Sequence, residues 1–179
     1  MGLILGGVSA RDLILDSQSV SLYIGGSPPV NVWPTIREVV QITLGTRFEA
    51  RDQFRAALAD RGMNYQTIKY IPFDIEFVGT GSTEGMFRNC YALTSVPAMD
   101  TSNVTYMGRM FQDCSSLTHV SDMYTSNVTN MLAMFSGCAA LTDGNVRLIG
   151  KYPIVNTTTM IDGSGLTREP FFDTAGNPI

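Results

Sequence analysis

The pattern of hydrophobic and polar positions changes character twice along this chain. Short alternating or apolar runs fill residues 1–45, an amphipathic stretch follows at 46–62, and a strict repeat occupies residues 86–142. Alternation with a period of two residues predicts β-strands, whereas apolar positions three and four residues apart predict a helix. A repeat of this length predicts a solenoid, in which each coil buries its apolar face against its neighbours.

The repeat occurs three times with a period of 24 residues. Each copy opens with a Met-Phe pair, a Cys follows four residues after the Met, and a Leu follows three residues after the Cys. A second Met precedes two of the copies by three residues. Because equivalent positions align when coils stack, we predict a shared repeat core. Its members are Met86, Phe87, Cys90, Leu93, Met107, Met110, Phe111, Cys114, Leu117, Met131, Met134, Phe135, Cys138 and Leu141.

Each copy is predicted to hold one helical turn and one short strand. The apolar positions from Met107 to Leu117 follow the spacing i, i+3, i+4, i+7 and i+10, which is typical of one face of a helix. Asn103 and Asn127 occupy equal sites in the turns between copies, where their side chains are predicted to bond to backbone groups. One strand and one helical turn per copy is the leucine-rich-repeat plan. The predicted fold class is therefore α/β, as a short leucine-rich-repeat solenoid of three to four coils.

The flanks predict a four-part organisation. Residues 1–45 are interpreted as a β-rich docking segment with a hairpin at 20–33, and residues 46–72 as a capping helix and linker. Thr46 as N-cap and Glu49 three residues later would form a capping box, and Gly62 would end the helix. Residues 73–167 form the predicted solenoid and residues 168–179 a C-terminal tail.

Composition and charge narrow the class of protein. A hydrophobic content of 44% is typical of a folded chain, and the formal net charge is −4 with two lysines. The absence of a basic patch argues against nucleic acid and against an anionic membrane as partners. The apolar start is too short for a membrane span and lacks the basic residues of a signal peptide, so we expect synthesis in a cytoplasm.

The three cysteines occupy equivalent positions, and we interpret them as a column of buried, reduced thiols. A disulfide between neighbours remains an alternative, because stacked strands lie about 4.8 Å apart. Parallel side chains would distort its geometry, however. A metal site is disfavoured, since no CxxC pair or second type of ligand lies nearby.

Catalytic chemistry is sparse in this sequence. His119 is the single histidine and stands where the preceding copy has Ser95, so we interpret it as a solvent-facing residue. Residues 79–82 lack the lysine of a phosphate-binding loop. A calcium site at the coil ends stays open as an alternative, although no EF-hand-like loop supports it. We predict that the chain is not an enzyme and binds no cofactor.

The amino-acid sequences of the repeats closely resemble those of one family. Residues 101–118 (TSNVTYMGRMFQDCSSLT) and 125–142 (TSNVTNMLAMFSGCAALT) resemble the BspA-like branch of leucine-rich repeats nearly residue for residue. That branch occurs in bacterial surface proteins and in tail and capsid-associated proteins of phages that infect actinobacteria. Residues 21–26 with 32–34, and residues 54–62 with 71–73, are similar to flanks of the phage versions. The missing signal peptide favours the phage interpretation, because bacterial adhesins of this branch usually carry one.

The resemblance implies two hypotheses about function. The first is a virion structural protein, most simply a capsid decoration protein that binds the major capsid protein and forms a homo-oligomer, for which we expect a trimer. The second is a minor tail protein or surface adhesin that binds a host-surface receptor or glycan, with Tyr106 and Tyr124 as candidate contact residues. The candidate docking residues of the first hypothesis are Leu22, Tyr23, Ile24, Val32 and Trp33.

Overall fold

A computed structural model describes residues 37–150, 156–175 and 177–179. Within it, Glu38–Ile179 forms one compact unit. The candidate docking residues at 22–24 and 32–33 lie outside the described residues. The elements in chain order are β1 (Val39–Thr43), α1 (Glu49–Ala59), β2 (Asp74–Val78), β3 (Gly81–Ser82), β4 (Val104–Tyr106), β5 (Met123–Tyr124), β6 (Leu148–Ile149) and β7 (Phe171–Phe172).

The first three elements form a β-α-β unit. Strand β1 pairs in parallel with β2, from Val39 opposite Asp74 to Thr43 opposite Val78. Helix α1 buries Ala50, Phe54 and Leu58, four residues apart, as one apolar stripe within the core. Strand β1 falls within residues 1–45, which were predicted as a separate N-terminal segment, but it is an integral part of the repeat-bearing unit.

The start of α1 differs from the prediction. The helix begins at Glu49 after an N-cap at Phe48, and no side chain caps it. The Glu49 carboxylate instead reaches back, accepting hydrogen bonds from the Thr46 hydroxyl and the Arg47 N–H. The Arg47 N–H bond lowers the pKa of Glu49. Thr46 as N-cap was therefore wrong, because two residues of turn separate it from the helix. At the other end Gly62 adopts a φ of 68°, in keeping with its predicted role as the stop.

The repeats consist of consecutive turns, so the predicted helical stripe was also wrong. Met110 N donates to Met107 O at 3.2 Å and Cys114 N to Phe111 O at 3.1 Å, each bond spanning three residues. Arg109 and Asp113 between them have φ values of 57° and 62°. A right-handed helix cannot contain such left-handed residues. Tandem β-turns, each closed by a bond between residues i and i+3, nevertheless place apolar side chains at the same i, i+3 spacing as a helix.

The left-handed residues direct their amides toward the next copy. Arg109 N donates to Leu132 O at 2.8 Å and Asp113 N to Ser136 O at 2.8 Å. The residues between them behave alike, since Phe111 N donates to Met134 O at 2.9 Å. The same bonds recur one copy earlier and one copy later. Neighbouring copies therefore lie side by side in register, joined through backbone groups.

Short parallel pairings continue this register around the unit. Strand β3 pairs with β4, Tyr106 bridges to Asn130, and Asn130 bridges to Asn156. On another side β5, β6 and β7 form a three-stranded parallel sheet. Residues 168–179, predicted as a tail, supply β7, and Ile179 N donates to Phe171 O beside it. No helix in the described part of the chain is long and apolar enough to cross a membrane.

Candidate functional site

The fourteen predicted repeat-core residues are all fully buried, at 0% exposure. Their phenylalanines stack: the ring centroids of Phe87 and Phe111 lie 5.2 Å apart and those of Phe111 and Phe135 5.5 Å apart. Phe54 of α1 meets Phe87 edge-on at 4.9 Å and continues the row into the helix. Offset or edge-on ring pairs add stability beyond the area they bury. These residues form the interior of the repeats and present no surface to solvent.

The thiols form a hydrogen-bonded column inside this scaffold. Cys114 Sγ donates to Phe87 O and Cys138 Sγ to Phe111 O, each at 3.1 Å. All three cysteines are free and buried. The neighbouring Cys90 thiol and burial raise the pKa of Cys114, and burial raises the pKa of Cys138 to about 12. Neutral thiols are poor nucleophiles and poor metal ligands. Among the described residues no group of His, Cys, Asp and Glu is placed to hold a metal ion.

We expect the raised pKa of Cys138 to make stability depend on alkaline pH. The unfolded thiol ionises near pH 9, whereas the folded thiol stays protonated up to about pH 12. The folded state therefore binds more protons in this window, and the free energy of unfolding falls as pH rises through it, by about 1.4 kcal/mol per pH unit. Below pH 9 the contribution is constant. Urea unfolding on both sides of pH 9, compared with Cys138→Ala, measures it; parallel pH profiles for the two proteins would contradict the expectation.

Threonine hydroxyls form two columns at the surface of the repeats. In one, Thr105 Oγ1 donates to Gly81 O at 3.2 Å and Thr129 Oγ1 to Thr105 O at 3.1 Å. In the other, Thr118 Oγ1 donates to Thr94 O at 3.1 Å. Each bond joins one copy to the preceding strand or copy. The Thr105 and Thr94 carbonyls also accept the backbone N–H groups of Thr129 and Thr118, each at 2.9 Å, so each hydroxyl adds a second bond to a pairing that the backbone already makes.

The two predicted turn asparagines occupy equivalent exposed turns. Asn127 Nδ2 donates to Ser102 O at 2.7 Å, which joins its turn to that of the preceding copy. Asn103 accepts a hydrogen bond from Gly81 N at 3.3 Å through its backbone carbonyl. Among the described hydrogen bonds, only Asn127 of these two asparagines therefore bonds to another copy through its side chain.

An apolar row lies on the outer face of the β5–β6–β7 sheet. Tyr124 pairs with Ile149 and Ile149 with Phe172, while the alternate residue of each strand is buried. Tyr124 is 54% exposed. The Arg147 guanidinium lies 5.0 Å from the Phe172 ring centroid and 3.4 Å from the carboxylate of Asp122. This row contains one of the two candidate contact tyrosines.

Arginine side chains join α1 to the first copy and the second copy to the residues just before the first. Arg55 Nη2 donates to Arg88 O at 3.0 Å, and the Arg55 guanidinium lies 3.9 Å from the Tyr65 ring centroid. Arg109 pairs with the buried Glu84 at 3.1 Å. Sequence reasoning missed this group, because its members are far apart along the chain and no local run of charge marks them.

A groove separates the turn before α1 from the sheet of β3 and β4. Its volume is about 440 Å³, and it holds the other candidate contact residue, Tyr106. His119 is exposed and lies outside it. The lining carries neither a carboxylate nor an imidazole, so it offers no acid or base for catalysis. The lining residues are Leu44, Gly45, Thr46, Thr80, Gly81, Ser82, Thr105, Tyr106 and Thr129.

Comparison with known proteins identifies one family. The sequence model of the family described as "Mycoplasma protein of unknown function, DUF285" matches residues 64–164, which is more than half of the 179 residues. The matched stretch contains all three copies of the repeat and agrees with a BspA-like repeat protein. No curated protein and no solved structure matches the chain. The chain therefore belongs to the DUF285 family.

Proposed function

We propose that the chain is a non-enzymatic structural protein of a phage particle, and that its repeats form a short leucine-rich-repeat solenoid that decorates the capsid. Two resemblances support this proposal. The repeat sequences resemble those of the BspA-like branch, and residues 54–62 and 71–73 resemble the segments that flank the repeats in phage proteins of that branch. Residues 54–62 hold most of α1 and its stop, and residues 71–73 lead directly into β2.

The observation that carries the proposal is the continuous bonding between copies. Backbone amides, threonine hydroxyls and cysteine thiols all reach from one copy to its neighbour. Helix α1 covers the core at one end, and at the other Pro178 bridges to Phe172 of β7. Covered ends leave few free strand edges for uncontrolled pairing. A block built in this way suits a static role in an assembly better than a catalytic cycle.

Attachment is assigned to the N-terminal segment. Leu22, Tyr23, Ile24, Val32 and Trp33 remain the candidate docking residues for the major capsid protein, and this assignment stands on the sequence alone. The apolar row of Tyr124, Ile149 and Phe172 suits a contact with a neighbouring subunit, because exposed apolar patches mark interaction surfaces. A trimer is the expected oligomer, which light scattering of the purified chain measures.

Particle composition tests the proposal. We expect mass spectrometry of gradient-purified virions to find the chain in many copies, and particles lacking it to recover it when the purified protein is added. Trp33→Ala should weaken this recovery, whereas Tyr91→Ala, at an exposed position of the first copy, should not. Absence of the chain from purified virions would contradict the proposal.

The exposed Tyr124 favours a second candidate, a minor tail or adhesin protein that binds a host-cell receptor. On this alternative, immunogold label falls on the tail, and the isolated chain binds host cells. A decoration protein labels the capsid and leaves the cells unbound. The two candidates therefore give opposite results in the same pair of assays.

A further inference from the structure

The groove beside Tyr106 has the dimensions of a ligand site. Ser82 N donates to Gly45 O at 2.8 Å, which fixes the wall formed by Leu44, Gly45 and Thr46 against β3. The volume of about 440 Å³ falls within the range of roughly 300–1,000 Å³ found for small-molecule sites. The opposite wall consists of residues from two successive copies of the repeat, so the groove exists only because the copies lie in register.

The lining is neutral and rich in hydroxyl groups. Six of its nine residues carry a hydroxyl and none carries a formal charge, in a protein of net charge −4. A charged ligand would find no partner of opposite sign in this lining, and burial of an unpaired charge is costly. The occupant must therefore be a neutral polar molecule.

The direction of the hydrogen bonds within the protein further restricts which ligands can bind in the groove. A threonine hydroxyl has one proton to donate and two lone pairs. Thr105 donates its proton to Gly81 O and Thr129 donates its proton to Thr105 O. Their oxygens can therefore only accept from a ligand. Thr46 is in the same position, because its hydroxyl donates to Glu49. The ligand must supply several neutral donors, as a sugar does with its O–H groups.

Tyr106 adds an aromatic surface that the neighbouring copies lack. A Cβ atom at Gly108 would lie 2.4 Å from Tyr106 Cε1, so the ring lies against the backbone of a residue without a side chain. The equivalent residues in the other copies are Glu84 and Leu132, and the residue equivalent to Tyr106 in the third copy is Asn130. The two departures from the repeat thus occur together, and Tyr106 lines the same groove as the hydroxyl-bearing residues. The C–H face of a pyranose packs on such a ring.

We infer that this groove binds a neutral oligosaccharide, with Tyr106 packing against a sugar ring and Thr105 and Thr129 accepting hydrogen bonds from its hydroxyls. The inference holds whether the chain belongs to a capsid, a tail or a cell surface.

A glycan array followed by titration of the full chain tests this inference. The array carries neutral oligosaccharides beside sialylated and sulfated ones, and the tightest neutral binder is then titrated by calorimetry. We expect Tyr106→Ala to raise the Kd by about tenfold or more and Thr129→Val by a few-fold, as for a lost packing contact and a lost acceptor. Thr118→Val is the matched control, because its hydroxyl makes the same 3.1 Å bond to the preceding copy but lies outside the groove.

Each result decides the question. Loss of neutral-glycan binding in the two groove variants, with Thr118→Val unchanged, supports the inference. Binding restricted to anionic glycans, no binding to any neutral glycan, or equal losses in Thr129→Val and Thr118→Val overturns it. Melting curves for each variant separate loss of the site from loss of the fold, and exposed Thr129 provides a variant that leaves the core intact.

Discussion

Phe111→Ala is expected to lower the free energy of unfolding by about 3–5 kcal/mol, the range for removal of a buried aromatic ring. Phe111 is fully buried and its ring lies between those of Phe87 and Phe135, at centroid distances of 5.2 and 5.5 Å. Removing it opens a cavity in the middle of the row and takes a stacking partner from both neighbours. Backbone bonds between the copies hold the walls apart, so little collapse can relieve the loss.

Urea denaturation with a matched aromatic substitution measures this effect. Tyr124→Ala removes a ring of similar size from the outer row, where 54% of the residue is exposed, and should cost much less. If both substitutions shifted the unfolding midpoint equally, the row of rings would not be the interior of this unit.

The buried columns were readable from the sequence because the copies repeat the same side chains at the same interval. Met110, Cys114 and Leu117 recur at equal positions, and only stacking places equal positions side by side. The burial of these residues follows from their equal spacing in the copies. The cysteines were readable for the same reason, since a small apolar side chain that recurs in register suits a buried column.

The local backbone conformation of the repeats could not be predicted in the same way. A helix and a chain of β-turns both place apolar residues at i and i+3, so periodicity alone does not separate them. Asn89, Asp113 and Gly137 did carry a signal, because these three residue types tolerate a left-handed backbone well. Arg109 and Ala133 share such a backbone without any such preference, and only the bonding between copies explains their conformation.

The groove depended on contacts that no single segment of sequence encodes. Gly45, Gly81, Tyr106 and Thr129 belong to a turn, a strand and two different copies, and they converge through the register between copies. The sequence showed that residues 106 and 108 depart from the repeat. It did not show that the two changes are linked, which became clear only from the position of the Tyr106 ring against Gly108. Irregular positions in a regular repeat are therefore where candidate sites should be sought.

Leu117→Ala is expected to cost about 2–5 kcal/mol of unfolding free energy, as for buried leucines in general. Leu117 is fully buried, and Thr118 N beside it donates to Thr94 O at 2.9 Å, which aligns Leu117 with Leu93 of the preceding copy. The lost methyl groups therefore leave a void that neighbouring copies share. Urea unfolding should show a lower midpoint with an unchanged slope, since the surface exposed on unfolding stays the same.

Leu132→Ala is the matched control, because it makes the same chemical change at a half-buried position equivalent to Gly108 and Glu84. Its cost should be about 1 kcal/mol or less, as for positions outside a packed core. The contrast separates column packing from hydrophobicity in general, because both substitutions remove the same atoms. Equal costs would mean that stacking in register does not hold the copies together, and the solenoid proposal would fail with it. A large cost at Leu117 alone would assign the stability of this fold to contacts that each copy can make only with its neighbours.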